Sequence, residues 1–218
     1  MSPRRLRLSP DARELADLLP AGRAVVGLSG APGSGKSTLS DWLREHHRAS
    51  VVPMDGFHYA DVELRRRDLL HRKGAPDTFD AEGYAALLRR IGEARPGDPP
   101  VLAPTFERDL EQPLAGALPV PAPPADGEGL VVAEGNYLLL PEPRWAAVRE
   151  RLDLVWHVHV DADLRRERLV ARHVEFGKSR EEAEDWVADV DEPNAALVED
   201  ASSTADLLID LSDWRPTG

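Results

Sequence analysis

Cysteine is absent from the 218 residues, which excludes a disulfide framework and a thiolate metal site such as zinc, and suits a reducing compartment. Lysine is scarce. Lys36, Lys73 and Lys178 stand alone among 27 basic residues, the rest being arginine, so each lysine carries more information than usual. No apolar run approaches the length of a membrane span, and the basic opening MSPRRLRLSP leads into no apolar signal core. The expectation is a cytoplasmic protein with no membrane partner. Positive charge is also short: Asp plus Glu outnumber Lys plus Arg by 39 to 27, for a net charge of −12. Nucleic acid is therefore not the expected partner, because phosphate backbones demand a basic surface. Hydrophobic residues make up 42% of the chain, enough for a sizeable core and a single domain over 1–218.

The apolar run at 24–30, closing on glycine, and those at 129–140 and 152–160 read as strands of the buried type, and 205–211 reads as the last strand. Helical spacings fall between them, at 36–47, 61–72, 80–93 and from Asp161 or Asp163 to about Phe176. Alternation of this kind, with no repeat period, predicts an α/β fold with a parallel sheet flanked by helices. Ser9-Pro10 with Leu15, Leu18 and Leu19 suggests an N-terminal helix within 1–20. Pro53 places the strand at 50–56 at an edge or a strand end. Prolines crowd 99–126, which predicts an insertion holding an extended hairpin and a loop at the mouth of a site. Ser179 and Glu182 form a capping box for a further helix, expected to stop near Pro193.

Between the first buried strand and the first long helix stands GAPGSGKST, residues 30–38. Gly30, Gly35, Lys36 and Ser37 satisfy G-x-x-x-x-G-K-[ST] in the strand-to-helix context that gives the motif its meaning. Gly30, Ala31, Pro32, Gly33, Ser34, Gly35, Lys36, Ser37 and Thr38 form the nucleotide-binding loop, whose backbone N–H groups, Pro32 having none, would face phosphate; Lys36 would reach the β and γ phosphates, and Ser37 would ligate Mg²⁺. Three other places speak to the reaction. Asp55 ends a strand, where a carboxylate can take the proton of an attacking hydroxyl or join Ser37 and Glu134 at the metal. Glu134 closes the run LVVAEG and is the expected magnesium acid. Arg165, Arg168 and Arg172 share one helical face and could close over polyphosphate within a lid spanning 161–190. His157 and His159 share a face of one strand and are read as packing rather than metal ligands.

The P-loop, MDGFH at 54–58, RKGAPDTFD at 72–80, VVAEGNYLLL at 131–140 and RLVARHVEFGKS at 168–179 together resemble the phosphoribulokinase, uridine kinase and pantothenate kinase superfamily over about residues 22 to 211. MDGFH with EGNYLLL is most similar to a bacterial subgroup called fructose-transport or nucleoside kinases. The resemblance implies a P-loop NTPase fold, ATP and Mg²⁺, Asp55 as catalytic aspartate, Glu134 as the acid after the Walker-B strand, and Arg168 or Arg172 as lid arginine. It also suggests a homodimer. The expected activity is ATP-dependent phosphorylation of a sugar or nucleoside-like hydroxyl; the alternatives are a pantothenate kinase-like activity on an anionic acceptor and a P-loop ATPase or nucleotide-binding module. His58, Tyr59, Lys73, Arg108, Asn136 and Tyr137 are the acceptor-binding candidates, with Asp77 and Asp109 nearby in sequence. No guanine-reading N-K-x-D and no LSGGQ-like signature is present, which argues against a GTPase switch or an ABC-type ATPase.

Overall fold

In the computed structural model, which describes residues 3–216, the apolar run before the glycine loop is the spine. It forms β2 (Arg23–Gly30), buried from its second residue on, and pairs in parallel with β6 (Gly129–Gly135) on one side and β7 (Leu154–His159) on the other. β3 (Ser50–Pro53) closes one edge against β6; β8 (Leu207–Asp210) and then β1 (Arg4–Arg7) extend the other. The sheet is six-stranded and parallel throughout, in the order β1-β8-β7-β2-β6-β3. Parallel neighbours need crossovers. These carry α1 (Lys36–His47), α2 (Asp61–Arg66), α3 (Ala81–Glu93), α4 (Pro143–Arg149), α5 (Ala162–Glu175), α6 (Arg180–Trp186) and α7 (Glu192–Ala201).

The two-residue period of β2 divides the core between the faces of the sheet. Val26 and Leu28 face Leu39, Trp42 and Leu43 of α1 together with Trp156 and Val158. Val25 faces the other way, into a cluster with Tyr84, Leu88 and Ile91 of α3 and Trp145 of α4. Each such fully buried side chain contributes about 1.5–3 kcal/mol by leaving water, so the strand that carries the phosphate loop is also the most firmly held.

Three local expectations are corrected. Ser9-Pro10 opens no α-helix: the Ser9 hydroxyl donates to the Asp11 and Glu14 carboxylates instead of accepting from a helix N–H, and a six-residue 3-10 turn, Arg13–Leu18, buries only Leu15. The charged run at 4–7 is an edge strand, a position where exposed arginines block pairing with a further chain. Pro193 does not stop the helix it follows. A π turn, Val187–Asp191, carries α6 into α7 and accommodates the proline, whose nitrogen has no hydrogen to donate.

The proline-rich insertion is a hairpin of β4 (Val101–Glu107) and β5 (Gln112–Val120), outside the main sheet, with a register break around Pro104. It is fastened over the turn after β3: a Cβ on Gly56 would lie 2.5 Å from the Pro104 carbonyl oxygen, so only glycine permits this approach. Among the described residues no helix is long and apolar enough to cross a membrane.

Candidate active site

β2 ends at Gly30 and α1 starts at Lys36, with the glycine loop between them. The first-turn N–H groups of α1 have no side-chain cap; they stand unpaired at the positive end of the helix dipole, the arrangement that receives phosphate. Lys36 is buried, and its Nζ donates to the carbonyls of Gly30 and Ala31 at 2.8 and 3.1 Å. Burial pulls its ammonium down to about 8, against the attraction of Glu134 and Asp55. An ammonium this poorly solvated gains from any anion placed beside it. Gly33 has φ 78°, and a Cβ there would lie 2.8 Å from Leu169 Cγ, so α5 rests directly on the loop.

Strand register assembles the acidic side of the site. Glu134 of β6 lies opposite Leu28 of β2 and Pro53 of β3. The strand period turns its side chain to the face of Val132, which α1 covers. There the Ser37 hydroxyl, in the first turn of α1, donates to Glu134 Oε1 at 2.6 Å. Asp55 lies in a 3-10 turn, Met54–Phe57, immediately after β3, and lines the same cavity as Lys36, Ser37 and Glu134. Among the described residues no group of three or more His, Cys, Asp or Glu could hold a metal ion by itself. A hydroxyl, one or two carboxylates and otherwise phosphate and water make up the donor set that magnesium accepts, so these residues fit it.

Arg168 and Arg172 of α5 both line the cavity. The Arg168 guanidinium lies above Gly35, within 3.6 Å of where a Cβ would be. Burial lowers Arg172 from its usual value, helped by Arg108 and opposed by Asp191 and Asp55. The third arginine of the face, Arg165, does not join them. It is buried and turned to Glu192 of α7, its stem packed against Gly33. That arginine ties the lid region together and does not face the cavity.

The cavity has a volume of about 890 Å³ and continues past Asp55 to a second half lined by His58, Lys73, Arg108 and Asn136. Two candidates lie elsewhere. Tyr137 is fully buried, donates its hydroxyl to the Gly74 carbonyl and packs on Phe79 and Trp145. Tyr59 is covered by the Arg67 guanidinium at 4.5 Å and accepts from Arg144. Both are structural. Asp77 pairs with Arg72, and neither it nor Asp109 is among the lining residues. His157 and His159 lie apart from the cavity, both against Glu199 of α7 at 3.4 and 3.3 Å. Burial alone would raise Glu199, but the two rings hold it down to about 2.

Several lining residues had no signal in the sequence. His173 Nε2 lies 2.8 Å from Asp191 Oδ2, a pair made by the π turn, and Trp186 and Asn194 adjoin it. At the P-loop end, Trp214, Arg215 and Pro216 wall the cavity beside Gly35 and Arg168. An aromatic and an arginine just past the last strand were the only available hint.

No protein-family model matches the chain. It is 35% identical over 201 residues to the uncharacterized protein YggC of Escherichia coli, covering 89% of this chain and 80% of that one. It is 32% identical over 200 residues to a protein of Schizosaccharomyces pombe provisionally named uridine kinase C227.14, covering 86% and 83%. Among solved structures it resembles a protein of Silicibacter sp. TM1040 provisionally named a fructose transport system kinase, with a TM-score of 0.75 and 37% identity over 89% of this chain and 94% of that one. The chain belongs to the P-loop kinases of the phosphoribulokinase, uridine kinase and pantothenate kinase superfamily, and it is accordingly a phosphotransferase with a hydroxyl acceptor.

Proposed function

We propose that this kinase phosphorylates a small neutral polyhydroxy compound, a sugar, polyol or nucleoside, with MgATP as donor. The carrying observation is the fate of Lys73, the one lysine in the acceptor half of the cavity. Its Nζ lies 2.9 Å from Asp61 Oδ1 and donates to the Glu111 carbonyl, and it hangs over the Phe106 ring. An ammonium already paired with a carboxylate is a poor clamp for an anionic acceptor. Lys178 lies over the Trp186 ring at 4.5 Å, and Arg108, near the Phe176 ring at 5.9 Å with no carboxylate partner among the described residues, is a single contact where an anionic acceptor wants a clamp. Arg168 and Arg172 stand on the phosphate side, where transfer needs charge neutralised. Names given to relatives divide between a neutral acceptor, uridine kinase, and an anionic one, pantothenate kinase, so the reading rests on the cavity's own residues.

In this reading the loop N–H groups and Lys36 hold the donor's phosphates, and Ser37 and Glu134 would hold a magnesium ion, which would supply neutralisation of phosphate charge. Asp55 orients the acceptor hydroxyl and takes its proton. Arg172, partly buried where the phosphate loop meets the acceptor half, faces the group in transfer. Leu169, packed on Gly33, keeps α5 seated so that solvent does not replace the acceptor.

The test is ADP release with fructose and other sugars, uridine, cytidine, pantothenate and glycerate, against hydrolysis without acceptor. Stimulation by one or more neutral compounds is expected. Stimulation by the anionic acceptors alone overturns the neutral-acceptor reading, and none by any compound favours an ATPase.

A further inference from the structure

His58 has an unusually determined chemical state. Its Nδ1 lies 2.8 Å from the carbonyl oxygen of Asp55, which its own backbone N–H also reaches at 3.2 Å. A carbonyl only accepts, so Nδ1 carries the proton and Nε2 is left with a lone pair. The ring is held against Phe79 and Phe106, at centroid distances of 4.0 and 4.8 Å. The backbone of His58 also bridges that of Phe79, which fixes where the ring sits. Burial in this aromatic slot lowers the imidazole from its ordinary value; Asp55, its carbonyl and Glu111 oppose the shift, and Lys73 adds to it. A ring that gives its Nδ1 proton to this carbonyl keeps Nε2 as its acceptor.

Nε2 has no hydrogen-bond partner among the described residues, and it is not sealed from solvent; the ring lines the cavity that holds Asp55. Two acceptors, three residues apart in sequence, thus line one cavity. One is the Asp55 carboxylate, which suits the hydroxyl that reacts. The other is a bare imidazole nitrogen, which suits a second donor and repels a carboxylate or phosphate, since neither has a hydrogen to give.

Resting on the kinase reading above, we infer that His58 Nε2 accepts a hydrogen bond from a second hydroxyl of the acceptor, so that the substrate is a diol or polyol with a hydroxyl near the one that is phosphorylated. His58 is then a specificity-determining residue. It rejects a mono-ol because an unpaired buried acceptor is costly, and a site built to bind a hydroxyl discriminates strongly against the analogue that lacks it.

Two measurements test this. In the wild-type protein without acceptor, histidine ¹⁵N spectra at pH 7 should show His58 neutral and protonated on Nδ1; an Nε2-protonated ring or an imidazolium overturns the inference. In the second, the neutral compound that turns over is compared with its monodeoxy analogues in wild type, His58→Phe and His58→Gln. Phenylalanine keeps the stack with Phe79 and Phe106 but has no acceptor; glutamine offers an amide oxygen. His58→Phe should lower kcat/KM for the intact acceptor by roughly 10- to 100-fold with the KM for ATP unchanged. The loss should vanish for the analogue lacking the second hydroxyl, and His58→Gln should recover part of the rate. An equal loss on both acceptors overturns the inference. Wild-type turnover of a mono-ol as fast as the diol overturns it while leaving the kinase reading intact, and turnover of no hydroxyl acceptor at all overturns both.

Discussion

The Ser37 hydroxyl donates to Glu134 Oε1 at 2.6 Å, joining residues 97 positions apart at the carboxyl end of the sheet. One comes from the first turn of α1 and the other from the end of β6, so their meeting follows from the strand register that sets Glu134 beside Leu28. Together they offer oxygen donors of the kind that a magnesium ion accepts. Glu134→Gln keeps an oxygen for Ser37 and removes the charge. It should raise the magnesium concentration needed for half-maximal activity by about 10-fold or more and lower kcat, while nucleotide binding in excess chelator stays as in wild type. An activity-versus-magnesium titration beside a chelator binding assay checks it; an unchanged magnesium requirement would reduce Glu134 to a structural partner of Ser37.

Lys36 predicts a proton linked to nucleotide binding. Its ammonium is lowered from 10.5 to about 8 by burial, so the charged form is disfavoured in the fold. The penalty is fully present below pH 8 and is relieved as pH rises from 8 toward 10.5, at most about 3 kcal/mol of added stability for the ligand-free protein. Phosphate beside Nζ reverses the shift. Binding of MgATP at pH 8 should therefore take up a fraction of a proton, and at pH 6.5 almost none. Calorimetry in buffers of different ionisation enthalpy reads this directly, and Lys36→Met should abolish the uptake and weaken binding. Equal uptake in wild type and Lys36→Met would assign the proton elsewhere.

The phosphate half of the site could be read from local sequence because each part of it is a short-range object. The glycine loop lies between a buried strand and a helix, Asp55 closes one strand, and Glu134 closes another. The acceptor half is built from long-range packing, and there the sequence picked out His58, Lys73, Arg108 and Asn136, which line the cavity, together with Tyr59 and Tyr137, which do not. Asn136 lines the cavity while its neighbour Tyr137 is core, because successive residues after β6 turn to opposite sides. His173 and Asp191 meet only through a π turn that no propensity announces. The edge strand at 4–7 was hidden for a related reason: three arginines in four residues carry no apolar period, and its pairing with β8 supplies what the side chains do not.

In the proposed mechanism Asp55 acts on the acceptor and not on the nucleotide. Asp55→Asn should leave nucleotide affinity near wild type and reduce transfer by a factor on the order of 10² to 10⁴, the usual range for losing a general base. Nucleotide titration with single-turnover kinetics separates the two. Lost binding with an unchanged rate per bound nucleotide would make Asp55 a structural residue.

The three arginines that share one face of α5, Arg165, Arg168 and Arg172, offer the sharpest separation, since spacing groups them and the structure divides them. Arg165 is buried against Glu192 and holds α5 to α7. Arg165→Ala should destabilise the protein by about 2 kcal/mol, less than a fully buried pair would cost because Glu192 keeps Arg166 and some contact with water. Arg168 lies over Gly35 at the nucleotide end, beside Trp214 and Arg215. Arg168→Ala should mainly raise the KM for ATP. Arg172 sits deeper, within the field of Asp55 and Asp191. Arg172→Ala should lower kcat by about 10² or more with little change in melting temperature, because a guanidinium that neutralises charge developing in transfer acts in the transition state. Melting curves and full kinetics on the three variants check the division; a kcat loss in Arg165→Ala as large as in Arg172→Ala, without loss of stability, would restore Arg165 to the catalytic face.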